Sequence, residues 1–299
     1  MEILEPATRI SPTMRFADLV GDSGEINLLG VPFDDSVIGR KGAKDGPKGI
    51  REAFRFLGSD LLPGTFQTRI HDHGDLALSG TVLEVHKQVE EAVLPLLEKP
   101  TILLGGDHGL TYAHIAALAR QVKGTIGIIV IDAHYDLRSW EGQPTSGTPF
   151  RRILEEMDGR VKGKHITEIG IRPFANAAEL ADVAASHGVR IVTPDQVRRQ
   201  GADAIMDAAL EMDVDHLWLS IDIDGLDQSI ASGCSSPGAG GLWFHEAETI
   251  TKRVAADPRC RGMDLLEVAP GLDPTGNTTR TAAQLVATFA AAVATTTHS

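Results

Sequence analysis

Apolar, β-branched runs recur along the chain, each broken off by glycine, aspartate or proline. The clearest are Thr101-Ile102-Leu103-Leu104, Thr125-Ile126-Gly127-Ile128-Ile129-Val130-Ile131 and His216-Leu217-Trp218-Leu219-Ser220-Ile221. Short continuous runs without strict alternation are the pattern of strands buried on both faces, as in a parallel sheet. Starts near Ile26, Arg69, Thr101, Thr125, His165, Val189, His216 and Gly262 predict eight strands. Helical spacing falls between them at 49–57, 81–98, 110–121, 177–187 and the Ala-rich 278–295. Strands alternating with helices predict an α/β chain of repeated βαβ units. No Pro/Gly/Ser linker, internal repeat or low-complexity tract divides it. The expectation is one domain over residues 1–299, with 1–25 as an N-terminal extension.

The chemistry sits where those runs stop. Gly105-Gly106-Asp107-His108-Gly109, Asp132-Ala133-His134-Tyr135-Asp136 and Asp222-Ile223-Asp224-Gly225-Leu226-Asp227 each follow one of the three runs. The carboxyl edge of an open parallel sheet is where such folds bind ligands. Residues two apart on a strand face the same way, so Asp132, His134 and Asp136 are expected to project together, as are Asp222 and Asp224. Carboxylates gathered this closely repel one another unless a cation lies among them. The candidate ligands are His108, Asp132, His134, Asp136, Asp222 and Asp224. An oxygen-rich set without thiolates suits Mn over Zn, and ligand type alone leaves Fe, Co, Ni and Zn open. Two metals bridged by shared Asp side chains would lower the pKa of a water between them and prepare a hydrolytic nucleophile at neutral pH.

These three motifs, followed by Glu267-Val268-Ala269-Pro270, resemble the signatures of the ureohydrolase family of arginases, agmatinases and formimidoylglutamases. The resemblance runs from about Ile26 to the C-terminal helix. It implies a three-layer α/β/α domain on a mostly parallel eight-stranded sheet. It also implies two Mn2+ per subunit, one held by His108, Asp132, Asp136 and Asp222, the other by Asp132, His134, Asp222 and Asp224. The reaction implied is attack of water on an amidine or guanidine carbon with expulsion of an amine. In it Glu267 faces the amidinium and Asp136 relays a proton. Trimers or hexamers of the chain are implied as well. Arginases and agmatinases carry a His where this chain has Ser146. Asp136-Leu137-Arg138 with Ser146-Gly147-Thr148, and Gly170-Ile171-Arg172-Pro173-Phe174-Ala175-Asn176, resemble the formimidoylglutamase branch, which cleaves N-formimidoyl-L-glutamate to glutamate and formamide. Arg138 and Arg172 are then candidates to grip a substrate carboxylate through the guanidinium fork, with Ser146 beside them. The alternative is a guanidino-acid hydrolase, agmatinase or arginase releasing urea. A single-zinc deacetylase of similar architecture, a two-metal phosphoesterase and a catalytically dead binding homologue are the competing classes; the two intact DxD-type clusters weigh against the first, the absence of a GNH-type cluster against the second and the six intact ligands against the third.

Bulk properties narrow the partners. A formal net charge of −13 with no basic stripe argues against nucleic acid. No stretch of 18 apolar residues predicts a membrane span. The opening Met1-Glu2-Ile3-Leu4-Glu5-Pro6 lacks the pattern of a signal peptide. Two cysteines, Cys234 and Cys260, give no disulfide framework, and a cytoplasmic location is expected. Cys234 is read as a small buried filler. His71-Asp72-His73-Gly74-Asp75 looks like a metal motif but has no separate carboxylate set, so it is read as structural. His114, His165, His187, His216 and His245 are read as ordinary core or surface residues.

Overall fold

The computed structural model of the chain describes residues 14–61 and 64–296. The strands are β1 (Val20–Gly21), β2 (Ile26–Val31), β3 (Ile70–Asp75), β4 (Thr101–Gly105), β5 (Ile126–Ile131), β6 (Ile166–Ile169), β7 (Arg190–Val192), β8 (His216–Asp222) and β9 (Cys260–Leu266). They form one nine-stranded sheet in the order β1-β3-β2-β4-β9-β8-β5-β6-β7. Every neighbouring pair is parallel. The eight predicted strands are all present. The ninth, β1, is two residues long and carries no apolar run, so periodicity has nothing to detect. Part of the expected N-terminal extension is therefore built into the fold. Phe16 and Leu19 are buried, and Phe16 packs its ring against Phe54 and Phe66. Residues 1–13 lie outside the described residues.

The helices are α1 (Gly46–Ala53), α2 (Val82–Val93), α3 (Thr111–Gln121), α4 (Pro149–Glu156), α5 (Ala178–His187), α6 (Pro194–Gln200), α7 (Ala202–Leu210), α8 (Phe244–Ala255) and α9 (Asn277–Thr296). Their starts follow local chemistry. Thr81 and Glu84 close a reciprocal capping box at the head of α2, and Thr193 with Gln196 does so for α6. Two apolar layers sandwich the sheet. One gathers Ile50, Ile250, Leu285 and Phe289 from α1, α8 and α9 over Ile102, Ile129, Ile221 and Leu265. The other gathers Val89, Ala117 and Ile153 from α2, α3 and α4 over Leu103, Ile128 and Trp218. Helix, sheet, helix is the expected three-layer arrangement. Each fully buried Leu, Ile or Phe contributes about 1.5–3 kcal/mol relative to exposure. Among the described residues no helix is long and apolar enough to cross a membrane.

Strand order places the site. The chain builds β1 to β4 on one side, crosses to build β5 to β7 on the other, then returns to fill the middle with β8 and β9. The four central strands β4, β9, β8 and β5 thus lie side by side at a topological switch point, where a crevice opens beyond their carboxyl ends. Register also aligns a row across one face: Leu103, Asp264, Ser220, Val130 and Glu168.

Candidate metal centre

All four central strands deliver acid or imidazole groups into that crevice. Asp107 and His108 follow β4, and Asp132, His134 and Asp136 follow β5. Asp222 ends β8, Asp224 lies in the turn after it, and Glu267 follows β9. Close packing sets this up: a Cβ on Gly106 would overlap the Phe33 carbonyl, so the backbone before His108 can pass only as glycine.

His108 Nδ1 lies 3.0 Å from Asp132 Oδ2, 2.9 Å from Asp136 Oδ2 and 3.5 Å from Asp222 Oδ2. His134 Nδ1 lies 3.2 Å from Asp224 Oδ2 and 3.5 Å from Asp132 Oδ1. Two ligand groups result, His108–Asp132–Asp136 and Asp132–His134–Asp224, joined through Asp132. The alternation argument misjudges how this happens. β5 ends at Ile131, so Asp132 to Asp136 are loop, not strand. Asp136 reaches His108 because its backbone turns to φ 48°, the left-handed region that Asp tolerates better than most residues. Asp224 sits in a 3-10 turn whose N–H is capped by Asp222 Oδ1 at 2.8 Å.

The electrostatics are those of a cation site. Burial, then the Asp132 charge, pushes Asp136 up to about 6. Burial, then the neighbouring carboxylates, holds Asp222 well above the usual range and raises Asp224. Burial alone would lower both histidines. Asp132 and Asp136 instead carry His108 well above its ordinary value, and Asp132 and Asp224 carry His134 up to about 12. Asp132 is the exception among the acids. Burial opposes its ionisation, yet the two imidazoles hold it below the usual carboxylate range. His108 Nδ1 and Asp132 Oδ2 are sealed from solvent, yet neither completes a well-formed hydrogen bond. Converging lone pairs that hydrogen bonds leave unsatisfied fit a divalent ion.

A cavity of about 190 Å³ opens onto these groups, lined by His108, His134, Asp136, Asp222 and Asp224 on its floor. Glu267 forms part of its wall. Its backbone is left-handed, φ 64°, and is pinned at both ends: its N–H donates to Gly106 O at 2.8 Å, and its Oε1 accepts the His108 N–H at 2.8 Å. Oε2 is buried and completes no hydrogen bond among the described residues. Burial, then the Asp107 charge, pushes this carboxyl up to about 8. The exposed Arg138 stands on the rim and the buried Ser146 also lines the cavity. Among the described residues the exposed Arg138 guanidinium has neither hydrogen bond nor ion pair, and it is the one Arg or Lys lining this cavity. Ser146 works as a staple between loops. Its Oγ accepts the Ile38 N–H at 3.1 Å, and its own N–H donates to Ser36 O at 2.8 Å.

Arg172 is placed differently from expectation. It is buried outside this cavity lining, and its guanidinium donates to the carbonyls of Gly238, at 2.5 Å, and Ser236, at 3.4 Å. It braces the 236–238 loop, and its fork is already committed. Cys234 is fully buried behind the site, with Sγ toward Ala231 O at 3.4 Å. His71 and His73 lie side by side on β3 with ring centroids 3.8 Å apart and planes tilted by 33°, while Asp72 and Asp75 between and after them pair with Arg51. Neither histidine belongs to a candidate metal group among the described residues.

Three further residues near the site were not singled out as candidates from the sequence. Asn176 donates to Ala133 O at 3.0 Å and accepts from Tyr135 N at 3.1 Å, pinning the His134 loop. Asp107, pushed up to about 7 by burial, accepts the Ser36 hydroxyl at 2.5 Å. Glu168 is wholly buried with both oxygens unpartnered, and burial and the charges of Asp132 and Asp136 raise it well above the usual range. The available signal was a charged residue inside an apolar run, Ile166-Thr167-Glu168-Ile169.

The arginase family model matches residues 24–292. Formimidoylglutamase of Bacillus subtilis (strain 168) is 35% identical over 271 residues, covering 87% of this chain and 84% of that protein. Its crystal structure superposes with a TM-score of 0.89 at 30% identity, covering 99% of this chain and 96% of that one. Formiminoglutamase of Trypanosoma cruzi, solved with Mn2+, gives a TM-score of 0.87 at 28% identity over 95% of this chain and 99% of that one. Proclavaminate amidinohydrolase of Streptomyces clavuligerus is 31% identical over 271 residues, 87% of this chain and 85% of that protein. A family match over most of the length, with relatives above 30% identity across nearly the whole chain, places this protein in the arginase family.

Proposed function

We propose that the chain is a single-domain, manganese-dependent hydrolase that cleaves N-formimidoyl-L-glutamate to L-glutamate and formamide. The observation that carries this reading is one cavity with a carboxylate–imidazole floor, a carboxylate oxygen on its wall that completes no hydrogen bond among the described residues and a guanidinium without a partner on its rim. That arrangement matches an amidinium at one end of a small molecule and carboxylate at the other. His108, Asp132, Asp136 and Asp222 would hold one Mn2+, and Asp132, His134, Asp222 and Asp224 the other. When bound, the two ions supply a water acidified to near-neutral pKa. Glu267 Oε2 accepts an amidinium N–H and fixes the carbon facing the cavity floor. The Asp136 carboxylate takes a proton as water adds and returns it to the departing glutamate nitrogen. No imidazole stands at Ser146, whose hydroxyl is held by the Ile38 N–H, so proton transfer falls to Asp136. Cytoplasmic location and assembly as a homo-oligomer belong to the same reading.

The rim separates this substrate from agmatine, whose cationic tail Arg138 repels. Arg138→Ala is expected to lower kcat/KM about ten- to hundredfold on formimidoylglutamate, since a charge-assisted hydrogen bond contributes roughly 1.5–3 kcal/mol. Exposure of Arg138 on the rim puts the expected loss near the lower end of that range. Arg138→Lys should recover only part of the loss, because a point charge cannot make the forked contact. Manganese content, measured beside the kinetics, should stay at the wild-type value. A loss below about twofold on the best substrate is too small for a lost charge-assisted bond and would remove Arg138 from the site.

A further inference from the structure

We infer that Asp264 is a positioning residue for the metal centre, acting on His108 through Ser220. The inference rests on the metal reading above. Asp264 lies on β9, is fully buried, and is not among the residues lining the metal-centre cavity. Its Oδ1 accepts the Ser220 hydroxyl at 2.6 Å. Its Oδ2 accepts from His114 Nδ1 at 2.8 Å, Trp218 Nε1 at 3.0 Å and the Thr111 hydroxyl at 3.3 Å. Ser220 Oγ in turn lies 3.0 Å from His108 Nε2 and 3.2 Å from the Thr111 hydroxyl. All of these side chains are sealed from solvent.

The direction of the chain follows from which groups can donate. A serine hydroxyl has one proton. With that proton on Asp264, Ser220 Oγ can only accept from His108, so Nε2 carries the hydrogen. A neutral imidazole protonated at Nε2 presents a bare Nδ1, and Nδ1 is the atom aimed at Asp132, Asp136 and Asp222. Asp264 thus selects the tautomer of His108 that can bind metal, at one remove. Trp218 and His114 make the selection stable. The indole N–H is a donor only, so Oδ2 must remain an acceptor, and the carboxylate cannot turn over. Outer groups that orient a metal-binding histidine commonly change metal affinity ten- to hundredfold when removed. His114, read from the sequence as an ordinary histidine, belongs to this brace. Among the described residues His134 makes no hydrogen bond to Ser220, Asp264, Trp218 or His114, so the effect should fall on the metal position that His108 serves.

The test is Mn2+ titration followed by EPR and elemental analysis on wild type, Ser220→Ala, Asp264→Asn and the double variant. In Asp264→Asn the amide oxygen stays with Trp218 and the amide N–H turns on Ser220, whose hydroxyl is left to donate to His108 or Thr111. Each single variant should bind one Mn2+ normally and the other about ten- to hundredfold more weakly. The double variant should be no weaker than Ser220→Ala alone, because the cut at Ser220 leaves Asp264 no route to His108. Losses that add in the double variant, or that fall equally on both positions, would make Asp264 a general structural residue and overturn the inference. So would Ser220→Ala with both affinities unchanged. Wild-type chain that binds no Mn2+ would instead contradict the metal centre itself.

Discussion

Asp132→Asn is expected to leave at most one Mn2+ per chain and to lower kcat by at least about two to three decades, more than the ten- to hundredfold typical of outer groups. Asp132 is the residue common to both candidate metal groups. Its Oδ2 faces His108 and its Oδ1 faces His134, and Oδ1 also accepts the His134 N–H at 2.7 Å. An amide keeps one oxygen and turns the other position into a donor without charge. Whichever way it lies, one group loses its anionic ligand, and a buried N–H is left pointing at lone pairs or metal. The side chain is fully buried, so water cannot stand in. Elemental analysis and steady-state kinetics on the same preparation check this. A variant with two Mn2+ and more than a tenth of wild-type kcat would show that Asp132 does not bridge.

Glu267→Gln is expected to reduce kcat/KM by about two to three and a half decades while metal content stays near wild type. The estimate follows from the roughly 3–5 kcal/mol lost when one partner of a buried ion pair is removed, at 1.4 kcal/mol per decade. Gln keeps the shape and can still accept the His108 N–H that Oε1 accepts now. What it loses is the negative charge on the oxygen that completes no hydrogen bond among the described residues. Burial and Asp107 push the Glu267 carboxyl up to about 8, so a cationic amidinium that enters must favour its ionised form. Substrate binding near neutral pH should therefore release protons in wild type, and the Gln variant should release fewer. Calorimetry in buffers of different ionisation enthalpy reads that difference. Equal proton release from both proteins would show Glu267 already ionised before substrate enters, and a kcat/KM loss under tenfold would place the amidinium elsewhere.

Residues differ in how legible they were. The strands could be read because each is a continuous apolar run, and their carboxyl ends could be read because each run halts at Asp or Gly. Six candidate ligands could be named because acids and imidazoles at adjacent strand ends have few structural uses, and the structure gathers five of them, all but Asp222, into two candidate metal groups. Their path to one another was not legible. Strand alternation stops at Ile131, and the positive φ of Asp136 and the 3-10 turn at Asp224 are local backbone choices without a periodic signature. Arg172 shows the limit for single charges. Its motif suggested a carboxylate grip, but whether a guanidinium meets a ligand or two backbone carbonyls depends on the 236–238 loop, far away in sequence. Asp264 and Glu168 were hidden for the opposite reason. Each is a lone acid in an apolar run, and only the register across β4, β9, β8, β5 and β6 puts both in one row. The edge strand β1 and helices α4, α6, α7 and α8 were not singled out at all.

The central claim is a Mn2+ hydrolase for a carboxylate-bearing amidine, and a side-by-side rate comparison tests it most directly. Wild-type chain loaded with Mn2+ is given N-formimidoyl-L-glutamate, 4-guanidinobutyrate, arginine and agmatine at matched concentrations, and release of the amine product is followed. Formimidoylglutamate should give the highest kcat/KM, about ten- to hundredfold above agmatine, whose tail offers Arg138 no anion. Agmatine turned over as fast as formimidoylglutamate, or urea released from arginine as the best reaction, would contradict the account.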